Sequence, residues 1–231
     1  MAEKAIGILG GMGPEATVDL FAKIVAATPA RTDREHLRII VDDNPKVPDR
    51  IRAIFDGGED PVPVLRDMAR NLEHSGAGLL VIACNTAHVY YDAITEAVAI
   101  PILHIADEAV AELLRRYPGV RVVGVLGTDV TIRLGIYHSR LERSGVRPIT
   151  PEPSDQEIVL SCIASVKAGD KGSAVRARLL AVAERLVARG AGVLITACTE
   201  LPLLLRDGDA SVPILDPTQT LALAAVRLAR S

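Results

Sequence analysis

The 231-residue chain has 26 basic and 29 acidic residues, a formal charge of −3, and is 49% hydrophobic and 24% charged, a composition typical of a folded rather than a disordered protein. Aromatic residues make up 3% and tryptophan is absent, so neither a stacking surface nor a basic run favours a nucleic-acid partner. No apolar stretch approaches the length that spans a bilayer, and we expect no membrane association.

Short β-branched runs alternate with longer amphipathic stretches, which predicts an α/β fold built from parallel sheets flanked by helices. The first run follows Met1–Lys4 directly, without the apolar core of a secretory signal. The predicted strands, in chain order, are Ala5–Leu9, Leu37–Val41, Leu79–Ala83, Ile102–His104, Arg121–Leu126, Arg147–Thr150, Val193–Ala197 and Ile214–Asp216. The predicted helices include Glu15–Ala27, Val62–Ser75, Thr131–Ser144, Ser173–Arg189 and a last helix, Gln219–Ser231, expected to pack on the first half.

An internal repeat is the most informative feature of this sequence. SGAGLLVIACNTAH (75–88) aligns without a gap with RGAGVLITACTELP (189–202), which pairs Cys84 with Cys198. At similar spacing, IGILG (6–10) matches VGVLG (123–127) and IPILHIAD (100–107) matches VPILDPTQ (212–219). The repeat predicts two pseudo-symmetric, Rossmann-like α/β domains, 1–105 with 217–231 and 106–216, with the active site in a cleft between them.

The three cysteines are odd in number and lack CxxC spacing, which argues against a disulfide framework or a zinc site. A lone cysteine at a strand end is most often a small buried hydrophobic residue, and we interpret Cys162, which has no counterpart in the repeat, as helix core. Cys84 and Cys198 instead end equivalent strands, where ligands collect in parallel α/β sheets. If the halves face each other, both thiols approach one cleft.

Two acid/base groups on opposite faces of one carbon can remove a proton from one side and return it on the other, which inverts the stereocentre. One cysteine must then begin as thiolate and the other as thiol. Polar residues follow each cysteine in the sequence. If each of these turns opens a helix, its N–H groups favour a bound carboxylate and lower the pKa of the thiol.

The chain resembles the cofactor-independent Asp/Glu/hydantoin racemases along essentially its whole length. The resemblance rests on GILGGMGPEAT (7–17), DDNPKVPDR (42–50), ACNTAH (83–88) and TACTEL (196–201). Related glutamate racemases usually carry Asp-Ser after the first strand and a His two positions after the second cysteine. Gly-Gly-Met and Glu200 stand at those places here, which favours the aspartate-type branch. The resemblance implies an isomerase in which Cys84 and Cys198 move the Cα proton of aspartate or glutamate, without pyridoxal phosphate or a metal ion.

The resemblance also implies which residues bind the substrate. An Arg that ends the NP…PDR segment implies Arg50, whose fork suits a carboxylate, and a Lys in the helix after the strand of the second half implies Lys167. Without the resemblance, both would be interpreted as ordinary surface charges. The other predicted contacts are Asn85, Thr86, Thr199 and Glu200, for the α-carboxylate and the ammonium group, with Met12 and Thr128 expected from the repeat to line the cleft. His88, His104 and Asp216 are expected to have structural roles.

Three other functions are open to this sequence. A dinucleotide enzyme is suggested by GILGGMG after the first strand and VDD (41–43) after the second, but the spacing is GxxGGxG rather than GxGxxG, and the paired cysteines stay unexplained. A second alternative is a two-domain module that binds a small anion. Such a module does not require a thiol on each side of its cleft, so it also leaves the paired cysteines unexplained. Hydantoin racemases and maleate isomerases use paired cysteines, whereas arylmalonate decarboxylases keep one; Arg50 and Lys167 favour a dicarboxylate substrate.

The cysteine usage predicts a reduced, cytoplasmic protein. The expected partner is a small dicarboxylic amino acid, and the resemblance implies a homodimer.

Overall fold

The computed structural model describes residues 3–231, and the chain has the predicted α/β fold. Residues 3–231 contain two four-stranded parallel sheets, with strand orders β2-β1-β3-β4 and β6-β5-β7-β8. The strands are β1 (Ala5–Gly10), β2 (Ile39–Asp43), β3 (Ala77–Ile82), β4 (Ile102–Leu103), β5 (Val122–Gly127), β6 (Arg147–Ile149), β7 (Val193–Ala197) and β8 (Ile214–Leu215). All eight predicted strands are present, and the repeat corresponds to two sheets with the same strand order.

The helices are α1 (Pro14–Ala27), α2 (Arg50–Phe55), α3 (Val62–His74), α4 (Tyr91–Thr95), α5 (Ile105–Arg116), α6 (Asp129–Arg133), α7 (His138–Arg143), α8 (Pro153–Lys167), α9 (Ser173–Ala188) and α10 (Pro217–Ala229). The described residues divide into two units. One comprises the chain up to Glu108 together with Thr218–Ser231, and the other comprises Ala109–Pro217.

The central strands β1, β3, β5 and β7 are nearly continuous buried apolar runs, as expected of strands covered on both faces. Alternate side chains of a strand point to opposite faces. In the first unit, Ile6 and Ile8 of β1 pack in the cluster that contains residues of α1 and α10, whereas Leu9 packs in the cluster that contains residues of α3. Strands of parallel sheets are buried in this way, which explains why periodicity alone identified them.

One predicted helix is wrong. The stretch predicted as a single helix over Thr131–Ser144 forms α6 and α7 with a break between them. Gly135 adopts a φ of 66° in the break, a left-handed conformation that suits glycine and ends a helix. The break leaves Tyr137 wholly buried between the two short helices.

The last helix packs on the first unit, as predicted. Leu221 of α10 is fully buried in the cluster that contains Ile6 and Leu20, and the Lys4 backbone N–H donates to the Ala229 carbonyl at 2.9 Å. The end of the chain therefore contributes to the core beside the first strand.

Leu221→Ala is expected to lower the free energy of unfolding by about 2–5 kcal/mol, because it opens a cavity in a closed core. Urea titration measures the loss. Leu223→Ala is the matched control on the same helix: Leu223 is 37% exposed, so its loss should stay below about 1 kcal/mol. Equal losses would contradict the packing of α10 in this core.

Candidate active site

Each paired cysteine lies at the switch point of its own sheet. The chain leaves β1 for β2 on one side and places β3 on the other, and ligands of open parallel sheets bind where the order reverses, beyond the carboxyl ends of the strands. Cys84 follows β3 within two residues, and Cys198 directly follows β7 in the second sheet, which has the same order. Both side chains are 5% exposed.

The glycine-rich loop after β1 forms the other wall of the first switch point. Gly11 has a φ of 88°, and a Cβ there would lie 2.3 Å from the Asn44 backbone, so this tight turn requires glycine. The Gly11 N–H donates to Thr17 Oγ1 at 2.9 Å. The turn directs Met12 into the buried cluster that also contains Cys84; that Met12 lines the cleft stays a prediction.

The turns after the cysteines differ from the expectation that each opens an α-helix. A five-residue 3₁₀ helix, Thr86–Tyr90, follows Cys84, and a three-residue one, Leu201–Leu203, follows Cys198. Helices this short align few peptide dipoles, so their dipoles would stabilise a thiolate at Cys84 or Cys198 only weakly.

Glu200 binds the thiol of Cys198 directly. The Cys198 Sγ–H donates to Glu200 Oε2 at 2.9 Å, and the Thr199 hydroxyl donates to the same oxygen at 3.3 Å. Burial raises the pKa of the Cys198 thiol well above its ordinary value, and the negative charge of Glu200 and its bond to the thiol raise that pKa further. The expected lowering of the thiol pKa is therefore wrong for Cys198.

Glu200 also has an oxygen available to a ligand. Its Oε1 is buried and makes no hydrogen bond within residues 3–231. A buried carboxylate oxygen without a donor is costly, and a cationic group that binds there would remove the cost. Thr199 and Glu200 thus lie beside the Cys198 thiol, and their contact with a substrate stays a prediction.

Lys167 and Tyr137 also interact electrostatically with Cys198. Lys167 is the exposed last residue of α8, and its positive charge lowers the pKa of the Cys198 thiol, although less than burial and Glu200 raise it. Burial raises the pKa of the Tyr137 hydroxyl, with further contributions from Asp216 and Cys198. Sequence reasoning missed Tyr137 because it treated 131–144 as one helix; Gly135 inside that stretch was the available signal.

Arg50 is held by the loop that precedes it. Asp49 caps α2, and Arg50 Nη1 donates to the carbonyls of Val47 at 3.2 Å and Pro48 at 3.0 Å. Arg50 Nε is buried without a hydrogen-bond partner among the described residues. The side chain is therefore fixed through one nitrogen, and Nη2 makes no hydrogen bond within residues 3–231, so its donors are available to an anion.

Thr128 serves as a helix cap. Its Oγ1 accepts from the Thr131 N–H at 3.3 Å, and the two hydroxyls are 3.0 Å apart. Gln156, which sequence reasoning did not identify, donates from Nε2 to the Gly127 carbonyl at 3.0 Å and to Asp129 Oδ1 at 2.9 Å. These bonds fix the loop after β5, where Thr128 is buried.

The predicted site residues therefore form two groups, one in each unit. Met12, Asn85 and Thr86 are buried with Cys84 in the first unit, and Arg50 begins α2 there.

Within residues 3–231, no group of three or more His, Cys, Asp or Glu side chains is arranged to hold a metal ion. No helix in the same range has the length and apolar character needed to cross a membrane.

Two sheets of the same strand order, each with a cysteine beyond a carboxyl strand end, define a duplicated α/β protein. The chain belongs to the Asp/Glu/hydantoin racemase family, which it matches over residues 9–225. This confirms the predicted family and the prediction of an isomerase of the racemase type.

Two relatives cover nearly the whole chain. The broad specificity amino-acid racemase RacX of Bacillus subtilis is 32% identical over 235 residues, which span 96% of each sequence. The structure of an aspartate racemase from Picrophilus torridus superposes with a TM-score of 0.89 at 31% identity, over 98% of this chain and 94% of the other.

More distant structures show the same fold. An aspartate racemase homologue from Pyrococcus horikoshii has a TM-score of 0.78 at 27% identity, over 99% of this chain and all of the other. Glutamate racemase of Francisella tularensis, at 17% identity, has a TM-score of 0.69 and shares the fold.

Proposed function

We propose that the protein interconverts L- and D-aspartate by proton transfer at Cα between Cys84 and Cys198, without pyridoxal phosphate or a metal ion. The observation that carries the proposal is the pair of buried thiols at equivalent switch points, one of which is hydrogen-bonded to a carboxylate. A core cysteine has no need of a counterpart in a repeated unit or of a carboxylate partner.

The contact between Cys198 and Glu200 supports a resting proton on Cys198. Cys198 begins as the acid, because its Sγ–H donates to Glu200, and Cys84 begins as the base. Cys84 thiolate takes the Cα proton as the Cα–H bond breaks, and the electron pair is delocalised into the substrate carboxylate. Cys198 then delivers its proton to the opposite face of Cα and becomes the thiolate. The reverse reaction exchanges these roles, and the two thiols titrate as a coupled pair.

The charged groups of the site suit an acidic amino acid. The Nη2 donors of Arg50 can bind a carboxylate, and Glu200 Oε1 can accept from the substrate ammonium. Lys167 supplies a second positive charge near Cys198. Met12, Asn85, Thr86, Thr128 and Thr199 complete the proposed set of contacts. The cytoplasmic setting and the homodimer stay predictions.

A wider amino-acid range is the second candidate, favoured by the 32% identity to the broad specificity racemase RacX. Both candidates require the same two-base chemistry. They differ only in which side chains the site accepts.

Incubation with L-aspartate in D₂O is expected to give D-aspartate that carries deuterium at Cα. In a two-base reaction each inversion delivers a solvent-derived proton, so early in the reaction the product is deuterated while the remaining L-aspartate keeps its protium. Proton NMR of the Cα–H signal and chiral chromatography measure both pools. L-glutamate and a panel of neutral L-amino acids, run in parallel, separate the narrow from the wide substrate range.

Deuterium that appears equally fast in L- and D-aspartate would contradict the two-base assignment. Absence of exchange with aspartate, glutamate and the rest of the panel would overturn the proposed function. Removal of pyridoxal phosphate and treatment with a chelator should leave the rate unchanged.

A further inference from the structure

His88 joins the backbone of Cys84 to the first turn of α5. The side chain is 4% exposed. Its Nδ1 lies 2.8 Å from the Cys84 carbonyl oxygen, and its Nε2 accepts from the Ile105 N–H at 3.1 Å. A backbone N–H can only donate, so Nε2 carries no proton, and Nδ1 must hold the proton and donate it to Cys84. Both bonds together select the neutral Nδ1–H tautomer.

Neighbouring aromatic side chains also restrain the His88 ring, in addition to the hydrogen bonds at its two nitrogens. The His104 ring centroid lies 4.6 Å from that of His88, and Tyr91 lies 4.8 Å from His104. His104 caps the next N–H of α5, because its Nδ1 accepts from Ala106 at 3.2 Å. The Tyr91 hydroxyl donates to the Ile102 carbonyl at 2.7 Å. His88 is thus one member of a buried aromatic group that covers the start of α5.

We propose that His88 is a positioning residue for Cys84, an inference that rests on the proposed function. Cys84 lies in the connection between β3 and the 3₁₀ helix Thr86–Tyr90. The imidazole restrains the Cys84 backbone, since one nitrogen binds the Cys84 carbonyl and the other binds a helix whose first residue, Ile105, is fully buried. The thiol is thereby held in the orientation that proton transfer needs, and a misplacement of about 1 Å at a reacting group can cost about 100-fold in rate.

His88→Gln and His88→Asn test this role in the full-length enzyme. Each amide can replace one of the two imidazole bonds but cannot span both. Both variants are expected to lower kcat for aspartate by about 10- to 100-fold, with a smaller change in KM, at temperatures where circular dichroism shows them folded. Tyr91→Phe is the matched control: it removes one buried hydrogen bond to a backbone carbonyl in the same group without touching the link to Cys84. It should lower Tm and leave kcat within about twofold of wild type.

Isotope effects separate positioning from general weakening of the fold. If Cys84 is misaligned, proton abstraction by Cys84 limits the rate more strongly. The kinetic isotope effect with α-deuterated substrate should then rise for the enantiomer from which Cys84 takes the proton, and not for the other. Wild-type kcat with symmetric isotope effects in folded His88 variants would overturn the inference.

The unaltered enzyme gives a test that does not depend on the folding of a variant. Nitrogen-15 NMR of labelled histidine should show His88 as the neutral Nδ1–H tautomer, whereas a proton on Nε2 would overturn the inference. Because wild-type racemisation is measured separately, failure of the His88 result leaves the two-cysteine proposal intact, and absence of racemisation defeats that proposal first.

Discussion

Cys84→Ala and Cys198→Ala are each expected to abolish racemisation of aspartate, with kcat lowered by about 10³-fold or more, since a positioned proton-transfer group contributes about 10²- to 10⁴-fold. Either loss removes one of the two groups that must act in every turnover, whichever enantiomer is supplied. The double variant should be no slower than the single ones within about tenfold, because residues that act as a unit are strongly non-additive. Chiral chromatography of the reaction with each enantiomer measures the rates.

Cys162→Ala is the matched control for loss of a thiol. Cys162 is buried in α8, its Sγ lies 3.6 Å from the Val175 carbonyl oxygen, and burial raises the pKa of its thiol. Its replacement should leave kcat and KM within about twofold of wild type and change only stability. If Cys84→Ala or Cys198→Ala behaved like Cys162→Ala, that cysteine would be a core residue and the two-base proposal would fail.

The strands and the duplication could be predicted because buried positions require apolar residues, which are visible in the sequence. A strand covered on both faces must be apolar at nearly every position, and the central strands β1, β3, β5 and β7 meet that condition. The edge strands β2 and β6 are only partly buried. Gly76, Ala77 and Gly78, at the start of β3, recur as Gly190, Ala191 and Gly192, just before β7. The repeat therefore identified the carboxyl ends at which Cys84 and Cys198 lie.

The predictions that failed depended on local geometry, which the pattern of apolar and polar residues does not encode. The periodicity of 131–144 fits one helix, and a single left-handed residue, Gly135, divides it. The proton on Cys198 depends on whether the Glu200 side chain turns back toward the sulfur, a 2.9 Å contact that a spacing of two residues permits but does not require. The bonds of His88 likewise join Cys84 to Ile105, a link that depends on the tertiary fold and not on the local sequence pattern.

The two units share a strand order but surround their cysteines differently. In the first unit, His88 binds the Cys84 carbonyl and leaves the charge of the site unchanged. In the second unit, the Glu200 carboxylate accepts from the Cys198 thiol itself. The proposed two-cysteine reaction starts each turnover from one thiol and one thiolate, and two identical surroundings would not determine which cysteine is which. Under that proposal, the difference between His88 and Glu200 supplies the asymmetry.

Glu200→Gln is expected to lower kcat/KM for aspartate by about 10- to 100-fold at neutral pH, the loss that corresponds to a hydrogen bond to a charged group. The pH profile should change in a defined direction. The Glu200 charge raises the pKa of the Cys198 thiol, so its removal lowers that pKa, and Cys198 loses its proton at lower pH. The alkaline limb of kcat/KM, which reports the acid of the unliganded enzyme, should move to lower pH.

The shift must be the same for both enantiomers, because L- and D-aspartate have equal free energy and their kcat/KM values are equal at every pH. Glu157→Gln is the matched control: Glu157 is exposed on α8, and its replacement removes the same charge without touching the thiol, so its profile should superpose on that of wild type. If the Glu200→Gln profile also superposed on wild type, Glu200 would not hold the proton on Cys198. The choice of Cys198 as the resting acid would then lose its basis, while the need for both cysteines would still stand on the alanine variants.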